Sequence, residues 1–209
     1  MHLFLVVCFP ATYGLLRGKA TAREAEGDLR WLLMGLLASV PAIAVDWAVG
    51  TLPGALRPFA LYMRGSFADY VALHVISVAA WLLLRGYRAL ENEAGRRRWF
   101  DYLAFATGLN AVVALFMMVG FWGEATLYTV LLLPLARLSS VLITAVLIVL
   151  YFEGYGIYRV LYALAVLLLP FASGAVAYLD TINRHGLAGA VLTALLAMAA
   201  YLWHEREGF

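Results

Sequence analysis

Seven apolar stretches, each bounded by charged or turn-forming residues, dominate this sequence of 209 residues. A helix needs about 20 residues to cross the hydrocarbon core of a bilayer, which is about 30 Å thick. The stretches cover residues 1–16, 31–52, 67–84, 102–122, 127–152, 157–179 and 186–203. They predict an all-α integral membrane protein, a bundle of about seven transmembrane helices that forms one polytopic domain over residues 1–209.

The composition agrees with a membrane location. Hydrophobic residues make up 65% of the chain and charged residues 13%, whereas soluble domains average about half apolar and a quarter charged. The charges lie in short clusters between the apolar stretches, so they do not supply the polar shell of a soluble domain. The single cysteine, Cys8, excludes a disulfide framework and a cysteine-based metal site. A net charge of +2 gives no indication of nucleic-acid binding.

The distribution of basic residues predicts the orientation. Eleven of them fall in segments that would be cytoplasmic, namely Arg17, Lys19, Arg23, Arg30, Arg85, Arg88, Arg96, Arg97, Arg98, Arg159 and Arg206. Three fall outside (Arg57, Arg64 and Arg184), and Arg137 lies within the membrane. By the positive-inside rule, the N-terminus is outside, the C-terminus is cytoplasmic and the chain is a multi-pass protein of the cell (inner) membrane.

Arg137 is the residue that bears most on function. It lies about ten residues into the fifth stretch, and ionisable groups at membrane depth are costly and usually face the bundle interior or water. Ser140 and Thr144 follow it at i+3 and i+7, which predicts a polar face along this helix. The third stretch has a comparable face, formed by Tyr70, His74, Ser77 and Trp81.

Further polar residues complete the predicted site. Asp46 is the expected partner of Arg137, provided that the second and fifth helices touch. Asp46, Asp69, His74, Glu124 and Arg137 all fall in the outer half, and the inner half has few buried charges, which predicts a cavity open to the outside. The alternative is that buried charges pair only to fix helix register. The predicted substrate-binding residues are Arg137, Asp46, His74, Ser140, Asn110 and Glu124, with no catalytic residue or metal ligand assigned.

Small residues at spacing four predict close helix packing near the C-terminus, within the chain or against a second copy. They are Gly189, Thr193 and Ala197 in the last stretch, and Ser173 and Ala177 in the sixth. Pro41, Pro134 and Gly174 are expected to break helices locally, as substrate sites require. The run Arg96, Arg97 and Arg98 is interpreted as a topology signal, and attraction of anionic lipid head groups is the alternative.

Three functions remain open, because the sequence has no H-E-x-x-H, G-x-S-x-G or P-loop motif and no paired histidines at helical spacing. The first is a transporter or channel for an anionic or protonatable small solute. The second is an intramembrane enzyme acting on a lipid or lipid-linked substrate, with His74 as general base. The third is a non-catalytic subunit or sensor module. The expected partners are the bilayer, a small solute or lipid, and a second copy or another membrane subunit; no cofactor and no nucleic acid are expected.

Overall fold

The computed structural model describes residues 3–18, 28–50, 73–86, 89–90, 95–120 and 131–207. In this part the protein is all-helical, with seven helices: α1 (Leu3–Arg17), α2 (Asp28–Gly50), α3 (Leu73–Arg85), α4 (Gly95–Gly120), α5 (Leu133–Glu153), α6 (Ile157–Thr181) and α7 (His185–Glu207). Four of them, α4 to α7, contain spans long and apolar enough to cross a membrane. The apolar parts of α2 and α3 are shorter. Asp69 and Glu124 lie outside the described residues.

Each helix coincides with one predicted stretch, but some ends differ. α4 begins at Gly95 rather than at residue 102, because the arginines before its apolar part continue the hydrogen-bonded turns and reach past the hydrocarbon. The predicted helix breaks are wrong. α2 continues through Pro41, and α6 continues through Gly174. Pro134 lies in the first turn of α5, where a missing backbone N–H costs nothing.

Two inner helices organise the bundle. α4 contacts α1, α2, α3 and α5, and α5 contacts α1, α4, α6 and α7. Most of the apolar span of each inner helix is buried, whereas less than a third of the span is buried in α6 and α7. The end of the bundle at which α1 and α3 end and α2 and α4 begin carries Arg17, Arg30, Arg85 and Arg98. We call it the arginine end.

α2 and α4 approach each other closely, and this approach depends on two glycines. A Cβ atom on Gly35 would overlap the backbone carbonyl oxygen of Phe105, and one on Gly108 would overlap that of Leu32. The two contacts are reciprocal, so each glycine lies directly against the backbone of the other helix. Small residues permit such backbone contact between membrane helices, where van der Waals packing drives association.

The small-residue face predicted on α7 does not pack within the described chain. Thr193 and Ala197 are exposed, and a Cβ atom on Gly189 would meet nothing within 4 Å. Ser173 of α6, in contrast, is fully buried against α5. The spacing of small residues alone therefore did not identify which helices approach most closely.

The buried apolar residues form two clusters that meet on α5. The first joins α1, α2, α3 and α4, and includes Phe9, Trp81, Tyr102 and Phe105. The second joins α6 and α7, and includes Leu169, Val176 and Leu192. α5 contributes Val141 and Val149 to the first cluster and Ala136 and Ile143 to the second. One helix thus separates a larger from a smaller packing unit.

Candidate functional site

A hydrogen bond between His74 and Thr144 connects α3 to α5. His74 lies in the first turn of α3 and is buried, and its Nε2 is 2.8 Å from the Oγ1 of Thr144, which is fully buried. Thr144 is nine residues from Glu153, the last residue of α5, which is about 14 Å along the helix axis. Thr144 therefore lies near the middle of the candidate membrane span Leu133–Glu153.

The inward face of α3 continues from this bond towards the arginine end. Ser77 and Trp81 are buried, as their spacing from His74 predicts. The Trp81 ring packs edge-to-face against Tyr102 of α4, with ring centroids 5.5 Å apart and an interplanar angle of 79°. Such aromatic pairs add about 1 kcal/mol to the gain from burial. The contact holds α3 at a fixed rotation against α4, so His74 faces α5.

Arg137 is buried in the second turn of α5, with 6% of its surface exposed. It precedes Ser140 by three residues and Thr144 by seven, and this spacing puts all three on one side of the helix. The positive charge of Arg137 acts on the thiol of Cys8, so its guanidinium lies near α1. Arg137, Ser140 and Thr144 thus form a buried polar face, which we call the α5 polar face.

Ser140 and Asn110, two more predicted site residues, bond to neighbouring groups. The hydroxyls of Ser140 and Ser173 share a hydrogen bond that connects α5 to α6. Asn110 donates from Nδ2 to the backbone carbonyl of Ala106, one turn earlier in α4, at 2.8 Å. Ser140 therefore belongs to the α5 polar face, whereas this bond holds the Asn110 amide against its own helix.

Two predicted site residues stay predictions. Asp46 belongs to α2, but its side chain lies outside the described part, and so does Glu124. The Asp46–Arg137 pair therefore stays a prediction as well. Within the described residues, Arg137 and Ser140 lie on the α5 polar face, and His74 bonds to Thr144 of that face.

The arginine end holds a buried ion pair that the sequence analysis missed. Arg85 Nη2 lies 3.0 Å from the Oδ2 of Asp101, whose side chain is fully buried. The guanidinium of Arg85 also lies over the Trp31 ring, with its Cζ atom 5.2 Å from the ring centroid. Arg98 is buried as well, 5.1 Å from the centroid of the Phe152 ring. The arginine end, which the predicted orientation puts in the inner half, thus holds buried charges that the sequence did not predict. The sequence offered one signal for these buried charges. Asp101 follows Arg98 at i+3, and Arg85 stands just before the loop that precedes them.

The two described clefts are apolar and lie beside other parts of the bundle. The larger, of about 280 Å³, lies among α1, α4, α5 and α7, and the smaller among α1, α4 and α5. Of the predicted site residues whose side chains are described, namely Arg137, His74, Ser140 and Asn110, none lines either cleft. Among the described residues, no group of three or more His, Cys, Asp or Glu side chains has the arrangement of a metal site. The α5 polar face is thus closed off from both clefts.

No protein-family model, no curated protein and no solved structure matches this chain. Function is therefore inferred from the geometry of the α5 polar face and its neighbours. That geometry is a buried arginine, a buried histidine bonded to a buried threonine, and a serine pair.

Proposed function

We propose that the chain crosses the cell membrane seven times, with its N-terminus outside and its C-terminus in the cytoplasm. The grouping of Arg17, Arg30, Arg85 and Arg98 at one end of the bundle supports this orientation, because basic residues concentrate on the cytoplasmic side. α1, α2 and α3 have shorter apolar parts than the other helices. They pack with α4 and α5 in the same bundle, which supports membrane insertion of all seven.

We further propose that the protein transports an anionic or protonatable small solute. The observation that carries this proposal is the α5 polar face, which buries Arg137 at membrane depth on the helix where the two apolar clusters meet. A buried charge in a membrane helix costs several kcal/mol and usually marks a solute or ion pathway. The boundary between two packing units is also where transporters place their binding sites, because one unit rocks against the other around a fixed site.

In this proposal each polar group has a distinct task. Arg137 binds the negative charge of the solute, since a guanidinium can donate two parallel hydrogen bonds to a carboxylate or phosphate. Ser140 accepts or donates one further hydrogen bond. His74 takes up or releases a proton when the solute enters, with Thr144 as its hydrogen-bond partner. Movement of α6 and α7 relative to the larger unit would separate Ser140 from Ser173 and open the α5 polar face to water.

A non-catalytic subunit or sensor module is the second candidate. The Ser140–Ser173 and His74–Thr144 hydrogen bonds favour it, because polar pairs between membrane helices can serve only to fix helix register. The enzyme alternative has less support. A general base must reach its substrate, whereas His74 is buried, its Nε2 is bonded to Thr144, and neither described cleft reaches it.

Transport by wild-type protein and by an Arg137→Ala variant tests the proposal. Proteoliposomes are loaded with buffer, and uptake of acetate, phosphate and chloride is measured as solute-induced current with and without a proton gradient. We expect uptake of at least one anion above that of empty liposomes. Arg137→Ala should lower it at least about tenfold, because a charged hydrogen-bond donor to the solute is lost.

Arg184→Ala is the matched control, since Arg184 is exposed and lies between α6 and α7. This variant should transport like the wild type. A folded Arg137→Ala variant with wild-type uptake would contradict the proposal, and so would wild-type protein that takes up none of the three anions. Either result would favour the subunit or sensor module.

A further inference from the structure

A stripe of inward polar groups follows α3 from the α5 polar face to the arginine end. Its members, at intervals of three or four residues, are His74, Ser77, Trp81 and Arg85. The first three are buried, and the Arg85 side chain is 19% exposed. His74 and Arg85 are eleven residues apart, which is about 17 Å along the helix axis. The stripe therefore covers most of the described length of α3.

α4 packs against this stripe through two fully buried residues, Asp101 and Tyr102. The carboxylate of Asp101 pairs with Arg85 at 3.0 Å. The Tyr102 ring packs edge-to-face on Trp81, and its hydroxyl lies close to that of Ser77. α3 and α4 thus enclose polar groups between them. We call the stripe, together with Asp101 and Tyr102, the α3–α4 polar line.

Three polar atoms in the middle of this line have no hydrogen-bond partner among the described residues. They are Ser77 Oγ, Trp81 Nε1 and Tyr102 OH. The two hydroxyls lie near each other, but not at the distance and angle of a hydrogen bond. Trp81 and Tyr102 are fully buried, and Ser77 is 3% exposed. Buried polar groups in a membrane protein need a partner inside the protein, because hydrocarbon offers none.

Water suits these three groups better than another ligand does. The two hydroxyls can each donate and accept a hydrogen bond, whereas the indole N–H only donates. A water molecule both donates and accepts, and a buried water typically makes about three hydrogen bonds to otherwise unsatisfied polar groups. None of the three groups carries a charge that would bind an ion. Neither described cleft reaches them, which disfavours a larger solute.

We infer that Ser77, Trp81 and Tyr102 bind an internal water molecule between α3 and α4. The water lies between His74 at one end of the α3–α4 polar line and the Arg85–Asp101 pair at the other. The inference rests on the contacts of α3 with α4 and not on solute transport. Loss of the water and loss of transport are therefore separate results.

Hydroxyl-radical labelling of the full-length protein in lipid nanodiscs tests the inference. A short X-ray pulse splits water into hydroxyl radicals, which oxidise side chains next to the water from which they form. Mass spectrometry measures the oxidation rate of each residue, divided by the rate of the same free amino acid. We expect Trp81 and Tyr102 to be oxidised at least about fivefold faster than Phe9 and Phe105, which are buried among apolar residues. Equal rates for the two pairs would overturn the inference.

A double variant, Ser77→Ala with Tyr102→Phe, removes the two hydroxyls and leaves one indole N–H, which is too few partners for a buried water. Oxidation of Trp81 should fall at least about fivefold. Ser139→Ala is the matched control, because Ser139 is fully buried and its hydroxyl donates to the Ala136 carbonyl of its own helix. It should leave Trp81 oxidation unchanged. Wild-type oxidation of Trp81 in a folded double variant would overturn the inference, and if this variant does not fold, the wild-type comparison decides alone.

Discussion

Replacing Gly108 with alanine is expected to lower the stability of the bundle by about 3 kcal/mol or more, one of the two largest single-residue effects that we predict. The new Cβ atom would overlap the carbonyl oxygen of Leu32, which belongs to a helix backbone and cannot turn aside as a side chain can. α2 and α4 would have to move apart, although they share the most extensive contact between any two described helices. Overpacking a tight core costs about 1–3 kcal/mol, and rigid surroundings increase that cost. Gly35→Ala should act similarly, because its Cβ atom would overlap the carbonyl oxygen of Phe105.

The chain contains its own reporter for this measurement. Cys8 is the only cysteine and is buried, so a thiol-reactive dye reacts when heating opens the bundle. We expect Gly108→Ala to lower the apparent Tm by about 10 °C. Gly189→Ala is the matched control, since a Cβ atom there would meet nothing within 4 Å. It should leave the Tm unchanged or raise it slightly, because alanine favours a helix more than glycine does. Equal Tm values for Gly108→Ala and Gly189→Ala would contradict the close approach of α2 and α4.

Asp101→Asn is expected to cost about 3–5 kcal/mol, because it leaves the charge of Arg85 largely buried after its carboxylate partner is neutralised. The Asp101 side chain is fully buried and that of Arg85 is 19% exposed, so water compensates only a small part of the loss. The pair connects the end of α3 to the second turn of α4. The same dye reaction at Cys8 measures the loss as a lower apparent Tm.

Two comparisons separate the ion pair from other effects of the substitution. Asp180→Asn removes the carboxylate beside His185, whose side chain is 55% exposed, and should cost less than about 1 kcal/mol. The double variant Arg85→Met with Asp101→Leu should recover most of the stability, because an apolar pair of similar size replaces the two buried charges. An Asp101→Asn variant that melts like the wild type would show that the pair contributes little.

The helices were predictable from the sequence because apolar stretches of spanning length have few other solutions. All seven stretches correspond to helices in the described part, and the inward faces of α3 and α5 followed from the spacing of His74, Ser77, Arg137 and Thr144. Spacing specifies a face but not its partner. The bonds from Thr144 to His74 and from Ser140 to Ser173 depend on how α5 rotates between its neighbours.

The glycine contact between α2 and α4 and the buried charges at the arginine end were not predictable, because both depend on how neighbouring helices fit together. Gly35 and Gly108 are far apart in the sequence, and neither position indicates which helix it faces, so their contact depends on the mutual fit of two helices. The small residues of α7 match the usual packing pattern better, but they face outward. Arg98 ends a run of arginines that suits an exposed loop, and Asp101 follows three residues later. Only the early start of α4 turns both residues into the bundle.

Accessibility of the α5 polar face to water tests most directly whether it serves a solute. In a Cys8→Ala chain, Ser140→Cys puts one thiol three residues from Arg137, and Leu168→Cys puts one on the exposed surface of α6 as a control. A membrane-impermeant, anionic methanethiosulfonate is added from the side of the N-terminus. We predict that Ser140→Cys is modified at least about tenfold faster than Leu168→Cys, because thiolates form in water and not in lipid. Equal rates of modification would contradict a water-accessible solute site at the α5 polar face.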